Sequence, residues 1–211
     1  MDFILALVDF ILHVDKHLVE IIGNYGTWTY LILFAIIFSE TGFVVTPFLP
    51  GDSLLFVIGA LGAKGTLSFE FAMILLIIAA LGGNTLNYFI GKIIGHRILA
   101  MKNSRIIKKE YLNKTHAFYA KHGGKAIIFS RFVPIIRTFA PFVAGLGKMS
   151  FLRYTIYNVI GGVSWVLLFM FAGYFFGNIP TVKENFTYVI FAIIFVSLLP
   201  TIIPYIRSKR R

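Results

Sequence analysis

Residues 69–95 run almost without charge for longer than the roughly 20 residues a helix needs to cross a bilayer. Hydrocarbon offers no partner to a backbone N–H or C=O, so a spanning segment of this kind must be helical. Residues 154–178 form a second such stretch, and 186–206 a third that Pro200 and Pro204 kink. Composition agrees. Of 211 residues, 58% are hydrophobic and 14% are charged, against roughly 45–50% and about 25% in soluble domains. Too few polar side chains exist to cover a folded surface in water. The chain reads as an all-α, multi-spanning integral membrane protein.

The net charge of +11 does not point to nucleic acid. The Lys and Arg residues flank the apolar segments, as the positive-inside rule places them. With no Cys, disulfides, thiolate metal sites and cysteine nucleophiles are excluded. Asp2 stands where a signal peptide would carry basic residues, and no cleavage-like motif follows, so the chain reads as unprocessed. Asp2, with Asp9, His13, Lys16 and Glu20 of residues 3–22, falls on one helical stripe. The rest of that helix is apolar, which predicts an amphipathic helix at the interface or against the bundle.

Two regions are apolar but broken. Residues 27–63 hold two runs too short to span, Thr29 to Phe38 and Leu54 to Leu61, joined through Gly42, Pro47, Pro50 and Gly51. Residues 126–147 hold short runs interrupted by Arg131, Pro134, Arg137 and Pro141. Both patterns predict re-entrant helical hairpins, whose irregular backbone is tolerated at membrane depth only where protein or water satisfies it. Residues 96–125 between them form a basic hydrophilic loop.

The two regions also resemble each other. Phe38-Ser39-Glu40 opens one and Phe129-Ser130-Arg131 the other. Each continues through two prolines, a Leu-Gly (Leu61-Gly62, Leu146-Gly147) and a Ser-Phe (Ser68-Phe69, Ser150-Phe151). A Gly-Gly follows (Gly82-Gly83, Gly161-Gly162), and each unit closes on Gly-x-x-x-Gly (Gly91/Gly95, Gly173/Gly177). Charge counting places the 96–125 loop and the basic C-terminal tail on the cytoplasmic side. The turns at 64–68 and 179–185 then lie outside. The hairpins enter from opposite faces, and the repeat is inverted, an arrangement common in secondary transporters with the site at the midplane.

Glu40 and Asp52 lie in the first hairpin, Arg131 and Arg137 in the second. A charge at the centre of a spanning helix costs about 2.5–3.5 kcal/mol on insertion scales, so four of them need a reason. One reading is mutual neutralisation by structural ion pairs, although buried pairs contribute little net stability. The other divides the work. Arg131 and Arg137 supply guanidinium donors suited to a phosphate. A low-dielectric setting favours the neutral form of a carboxylate, which suits Glu40 and Asp52 to take and release protons. Protonating them would loosen their hold on the arginines.

Asn84 and Asn87 share a helix face beside Tyr88. For these two, and for Asn158, interhelical hydrogen bonding is the simpler reading. Trp165 reads as packing, and His96, His116 and His122 show no metal-ligand spacing. No His-Glu-x-x-His, Gly-x-Ser-x-Gly or P-loop is present, so neither an enzyme nor a cofactor or metal is implied.

Phe38-Ser39-Glu40-Thr41-Gly42, with Pro47-Phe48-Leu49-Pro50-Gly51-Asp52-Ser53-Leu54, resembles the first signature of the DedA family. Arg131-Phe132-Val133-Pro134, with Arg137-Thr138-Phe139-Ala140-Pro141 and Ala144-Gly145, resembles the second. Asn158, Gly161 and Trp165 fit the segment that follows, and the resemblance runs nearly the whole chain, including His122-Gly123-Gly124-Lys125. It implies a bacterial inner-membrane protein linked to the proton motive force and envelope integrity. Some members are implicated in returning undecaprenyl phosphate to the cytoplasmic leaflet, and related eukaryotic proteins scramble phospholipids. The family's membrane acids fall on Glu40 and Asp52, and its essential arginines on Arg131 and Arg137. The chain departs from the pattern at Asn84, where many relatives carry Asp, which removes a possible proton carrier. The reading that follows is a transporter moving a lipid phosphate between leaflets, with protons and membrane lipid as its partners. Pro47, Pro50, Gly51, Asn84, Asn87, Pro134, Pro141 and Asn158 would support the site. A proton-coupled exchanger of ions or small solutes, and a non-transport role in the envelope, are the alternatives.

Overall fold

The computed structural model describes residues 20, 22, 24–43, 51–100, 123–132, 134–147, 149–184, 188, 189 and 192. Among these residues every regular element is a helix. After a 3-10 turn at Gly26–Trp28 come α1 (Thr29–Gly42), α2 (Gly51–Ala63), α3 (Phe69–Ala100), α4 (Lys125–Ser130), α5 (Pro134–Leu146), α6 (Phe151–Phe176) and α7 (Pro180–Glu184). The expected amphipathic helix at 3–22, the span at 186–206 and the 96–125 loop lie largely outside the described residues.

Two helices, α3 and α6, are long and apolar enough to cross a membrane. Each starts earlier or ends later than its apolar run, for local reasons. The Ser68 carbonyl accepts the Ala72 N–H at 3.0 Å, and the Ser150 carbonyl accepts the Tyr154 N–H at 2.9 Å. A Ser-Phe pair thus opens both helices, and α6 begins at Phe151 rather than 154. At its far end α3 continues past residue 95 to Ala100, into the basic stretch. Both helices turn large apolar side chains outward: Phe71, Ile74, Ile78, Phe89 and Ile93 on α3, and Leu152, Ile156, Leu168, Phe171 and Phe175 on α6. Apolar residues on the exterior at helical spacing are what lipid as solvent requires. The inward stripe of α3 passes from Ala72 and Leu76 through Ala80 to Asn84, Asn87 and Tyr88.

Contacts divide the chain into two compact units. One comprises Met1–Ile37, Phe48–Ile78 and Trp165–Arg211; the other comprises Phe38–Pro47 and Ala79–Ser164. In the first, α2 crosses the C-terminal half of α6 backbone to backbone. A Cβ on Gly59 would collide with the Met170 carbonyl oxygen, and one on Gly173 with that of Phe56. In the second, α5 crosses the C-terminal half of α3 in the same way. A Cβ on Gly145 would collide with the Tyr88 carbonyl oxygen, and one on Gly91 with that of Phe142. The Phe-x-x-Gly of α2 (Phe56, Gly59) and that of α5 (Phe142, Gly145) therefore make matching contacts, as do Gly173 and Gly91. Close backbone approach of this kind lets van der Waals packing and weak polar contacts hold helices that gain nothing from excluding lipid.

The Gly-Gly pairs serve a different contact. Gly83 leaves room for the Phe38 carbonyl and Thr41 at the end of α1. Gly161 and Gly162 leave room for the Arg131 side chain after α4. Each pair accommodates the end of the short helix that opens its half of the sequence.

Candidate functional site

Glu40, Arg131 and Arg137 all belong to the second unit, at relative exposures of 0%, 1% and 3%. Glu40 sits in the last turn of α1, Arg131 just beyond α4, and Arg137 in the first turn of α5. Helix ends explain the local geometry. The backbone N–H of Arg131 bonds the Ile128 carbonyl at 3.3 Å, which closes α4 with a tight turn. Pro134 opens α5, where a missing N–H costs nothing. Pro141 lies inside α5 and cannot donate to the carbonyl one turn back, that of Arg137.

Asn87 reaches the carbonyl next to this break. Its Nδ2 donates to the Thr138 carbonyl at 2.8 Å and to the Thr41 carbonyl at 3.2 Å. Thr41 lies at the C-terminus of α1, where carbonyls lack partners within the helix. One asparagine on α3 thus ties the end of α1 to the interrupted helix α5. Tyr154 donates its hydroxyl to the Asn84 carbonyl at 2.8 Å and stacks on Tyr88, with ring centroids 4.4 Å apart. Tyr88 in turn donates to the Met149 carbonyl at 2.5 Å.

The two arginines are held differently. Arg137 Nη2 forms a salt bridge with Glu40 Oε1. Arg131 Nη2 instead donates to Asn158 Oδ1 at 2.5 Å, with the Asn158 carbonyl at 3.5 Å. The Asn84 amide completes this arrangement. With its oxygen toward Arg131 Nη2, its nitrogen donates to the Thr41 carbonyl at 3.1 Å, and amide orientation is assigned from such networks. Asn158 Nδ2 reaches the Leu81 carbonyl at 3.4 Å. Arg131 Nε and Nη1 are buried and have no hydrogen-bond partner among the described residues. The free fork expected at Arg131 is therefore partly occupied: Nη2 is taken by asparagine oxygens, while Nε and Nη1 stay open.

In the first unit Asp52 lies in the first turn of α2, where a carboxylate suits the helix dipole. It is 8% exposed and accepts a hydrogen bond from Trp165 Nε1 at 2.8 Å. Trp165 is fully buried, so the residue expected to do no more than pack also orients an acid. Gly51 and Pro141 are buried, whereas Pro47 and Pro50 lie outside the described residues. Thr41, Thr138, Tyr154 and Trp165 were not legible as site residues, although the first two neighbour Glu40 and Arg137 in the motifs. No group of His, Asp or Glu able to hold a metal occurs among the described residues.

The VTT domain matches residues 49–175. Protein DedA of Escherichia coli (strain K12) is 57% identical over 212 residues, covering 100% of this chain and 97% of the relative. An uncharacterized membrane protein of Mycobacterium leprae (strain TN) is 44% identical, covering 80% of this chain and 75% of its own. Inner membrane protein YqjA of Escherichia coli (strain K12) is 34% identical, covering 72% and 69%. No solved structure gives a significant match.

Proposed function

Since the chain belongs to the VTT-domain, or DedA, family of membrane proteins, we propose that it moves a lipid phosphate between leaflets of the bacterial inner membrane. The relatives' names carry the membrane assignment. The cargo rests on one observation: Arg131 is buried with Nε and Nη1 unpartnered among the described residues. Buried guanidinium N–H groups without hydrogen-bond partners are costly, and a phosphate oxygen accepting from those nitrogens offsets that cost with charge-assisted hydrogen bonds. Undecaprenyl phosphate or a related phospholipid supplies such an oxygen from within the bilayer.

Proton coupling enters through Arg137. Glu40 holds its Nη2, and protonating Glu40 removes the charge that binds it. The freed guanidinium then takes a second phosphate oxygen, and loss of the proton returns it to Glu40. Asp52, held by Trp165, is the second proton carrier. The matching crossings in the two units support reading the halves as an inverted repeat, with α1–α2 and α4–α5 as opposed re-entrant hairpins and the C-terminus cytoplasmic. Transport of undecaprenyl phosphate in proteoliposomes, followed across pH, tests the reading. Glu40→Gln and Asp52→Asn should each lower the rate and flatten the pH profile. An unchanged rate and profile in both would refute the coupling.

A further inference from the structure

One end of the first unit is ringed by aromatic side chains. Tyr25 and Trp28 stand exposed just ahead of α1, Trp28 at 68%. Tyr30, in the first turn of α1, accepts the Ser68 N–H at its hydroxyl, 2.8 Å away, and meets the Phe71 ring edge-on with centroids 4.9 Å apart. Phe69 packs on Tyr174, near the end of α6, at 4.7 Å. Asn178 Nδ2, just past α6, donates to the Ala60 carbonyl near the end of α2 at 3.1 Å. The starts of α1 and α3 and the ends of α2 and α6 therefore share one level.

The exposed surface changes character at that level. In the turn before α3 and at its start, Lys64, Ser68 and Glu70 are exposed; deeper along α3 the exposed residues are Phe71, Ile74 and Ile78. On α6 the exposed face is apolar through Leu168 and Phe171 to Phe175, and Lys183 and Glu184 follow in sequence. Tyrosine and tryptophan have an apolar body and a polar tip, which suits them to a boundary that is hydrocarbon on one side and wet on the other. We infer that Tyr25, Trp28 and Tyr174 anchor this end of the unit at the lipid–water boundary of the bilayer, and that the anchor sets the depth of Asp52. The helix α6 carries the measure inward. From Tyr174 back to Trp165 is about 14 Å at about 1.5 Å per residue, close to half of a hydrocarbon core roughly 30 Å thick. Trp165 Nε1 donates to Asp52 Oδ1, so the anchored end places this acid near the midplane. The assignment is independent of the cargo.

The chain has two tryptophans, and they make the depth readable. Trp165 is 0% exposed and shielded from lipid, so quenching by lipid reports on Trp28. The full-length protein is reconstituted in phosphatidylcholine vesicles whose acyl chains are brominated either near the headgroup or near the chain end. Shallow bromines should quench at least about twofold more than deep ones, as an interfacial indole requires, and Trp28→Phe should lose that difference. Leu168→Trp in the Trp28→Phe background moves the reporter to the exposed face of α6, one turn from Trp165, and should reverse the order. Stronger quenching of Trp28 by deep bromines would overturn the anchor by placing the ring in hydrocarbon. Quenching by aqueous acrylamide but by neither lipid would overturn it by placing the ring in water, and quenching by none of the three would mean that protein covers it. A shallow preference at Leu168→Trp would overturn the depth assigned to Asp52. If Trp28→Phe fails to insert, the wild-type profile decides the anchor, and Leu168→Trp alone, read as the change from that profile, decides the depth.

Discussion

Replacing Gly59 by Ala should destabilise the protein through a single backbone contact. The added Cβ would lie on the Met170 carbonyl oxygen, 2.9 Å from its carbon and 3.0 Å from the Tyr174 nitrogen. These are backbone atoms of α6, which no rotamer change can withdraw. Ordinary contact begins near 3.4 Å, so α2 and α6 must part by roughly 1 Å along the crossing, losing dispersion contacts throughout it. Overpacking of this kind costs about 1–3 kcal/mol, and each kcal/mol moves the melting temperature by about 2–4 °C in a chain of this size. Gly82→Ala is the control, because its Cβ would meet only the Phe38 ring, at 3.3 Å. The double variant Gly59→Ala/Gly173→Ala should cost less than the sum of its singles, since one separation relieves both clashes. Gly59→Ala with Gly145→Ala should be closer to additive, because the clashes lie on different crossings. Thermal unfolding in one detergent of the four single and two double variants gives all six values. A Gly59→Ala protein no less stable than Gly82→Ala would refute the close-crossing argument, and additivity within the Gly59/Gly173 pair would refute the claim that they share one contact.

Three further perturbations follow from the polar contacts. Glu40→Ala should destabilise by about 3–5 kcal/mol, the cost of leaving a buried charge without its partner, and Glu40→Gln/Arg137→Gln should regain part of that in a double-mutant cycle. Trp165→Phe leaves Asp52 Oδ1 without the indole donor; a loss of about 1–3 kcal/mol is expected, together with a shifted pH dependence of transport, and an unaltered pH profile would reduce Trp165 to packing. The chain has no Cys, so single-cysteine labelling reads topology cleanly: Lys64→Cys should react with an impermeant maleimide from outside and Lys209→Cys only after permeabilisation, and the reverse pattern would invert the proposed orientation.

The helical membrane character was legible because length and apolarity leave one solution for residues 69–95 and 154–178. The family was legible because its motifs are long and include rare intramembrane charges. Helix ends were less so: Ser68 and Ser150 set the starts of α3 and α6 through backbone bonds that hydropathy does not register. The ordered Gly and Pro landmarks of the proposed repeat were visible in the sequence. The matching Phe-x-x-Gly crossings were not, because they require knowing which helix lies against which. The charged residues announced themselves by their cost in an apolar segment. Their partners did not, because pairing is a matter of distance between segments far apart in sequence. Placing Glu40 and Arg131 at equivalent openings was a statement about sequence order. In space it is Arg137 that meets Glu40, while Arg131 meets two asparagines that read as ordinary interhelical glue. Trp165 packs as expected, and its further contact was hidden for a similar reason: a buried indole needs somewhere to put its N–H, and the sequence does not say that Asp52 is the place.

Leaflet-resolved transport of undecaprenyl phosphate in proteoliposomes, comparing wild type with Arg131→Ala, tests the central claim most directly. The account predicts transport by the wild type and a loss of at least about a hundredfold in the variant, with the variant still folded and inserted. Equal rates for the two proteins, or no transport by the wild type, would contradict it.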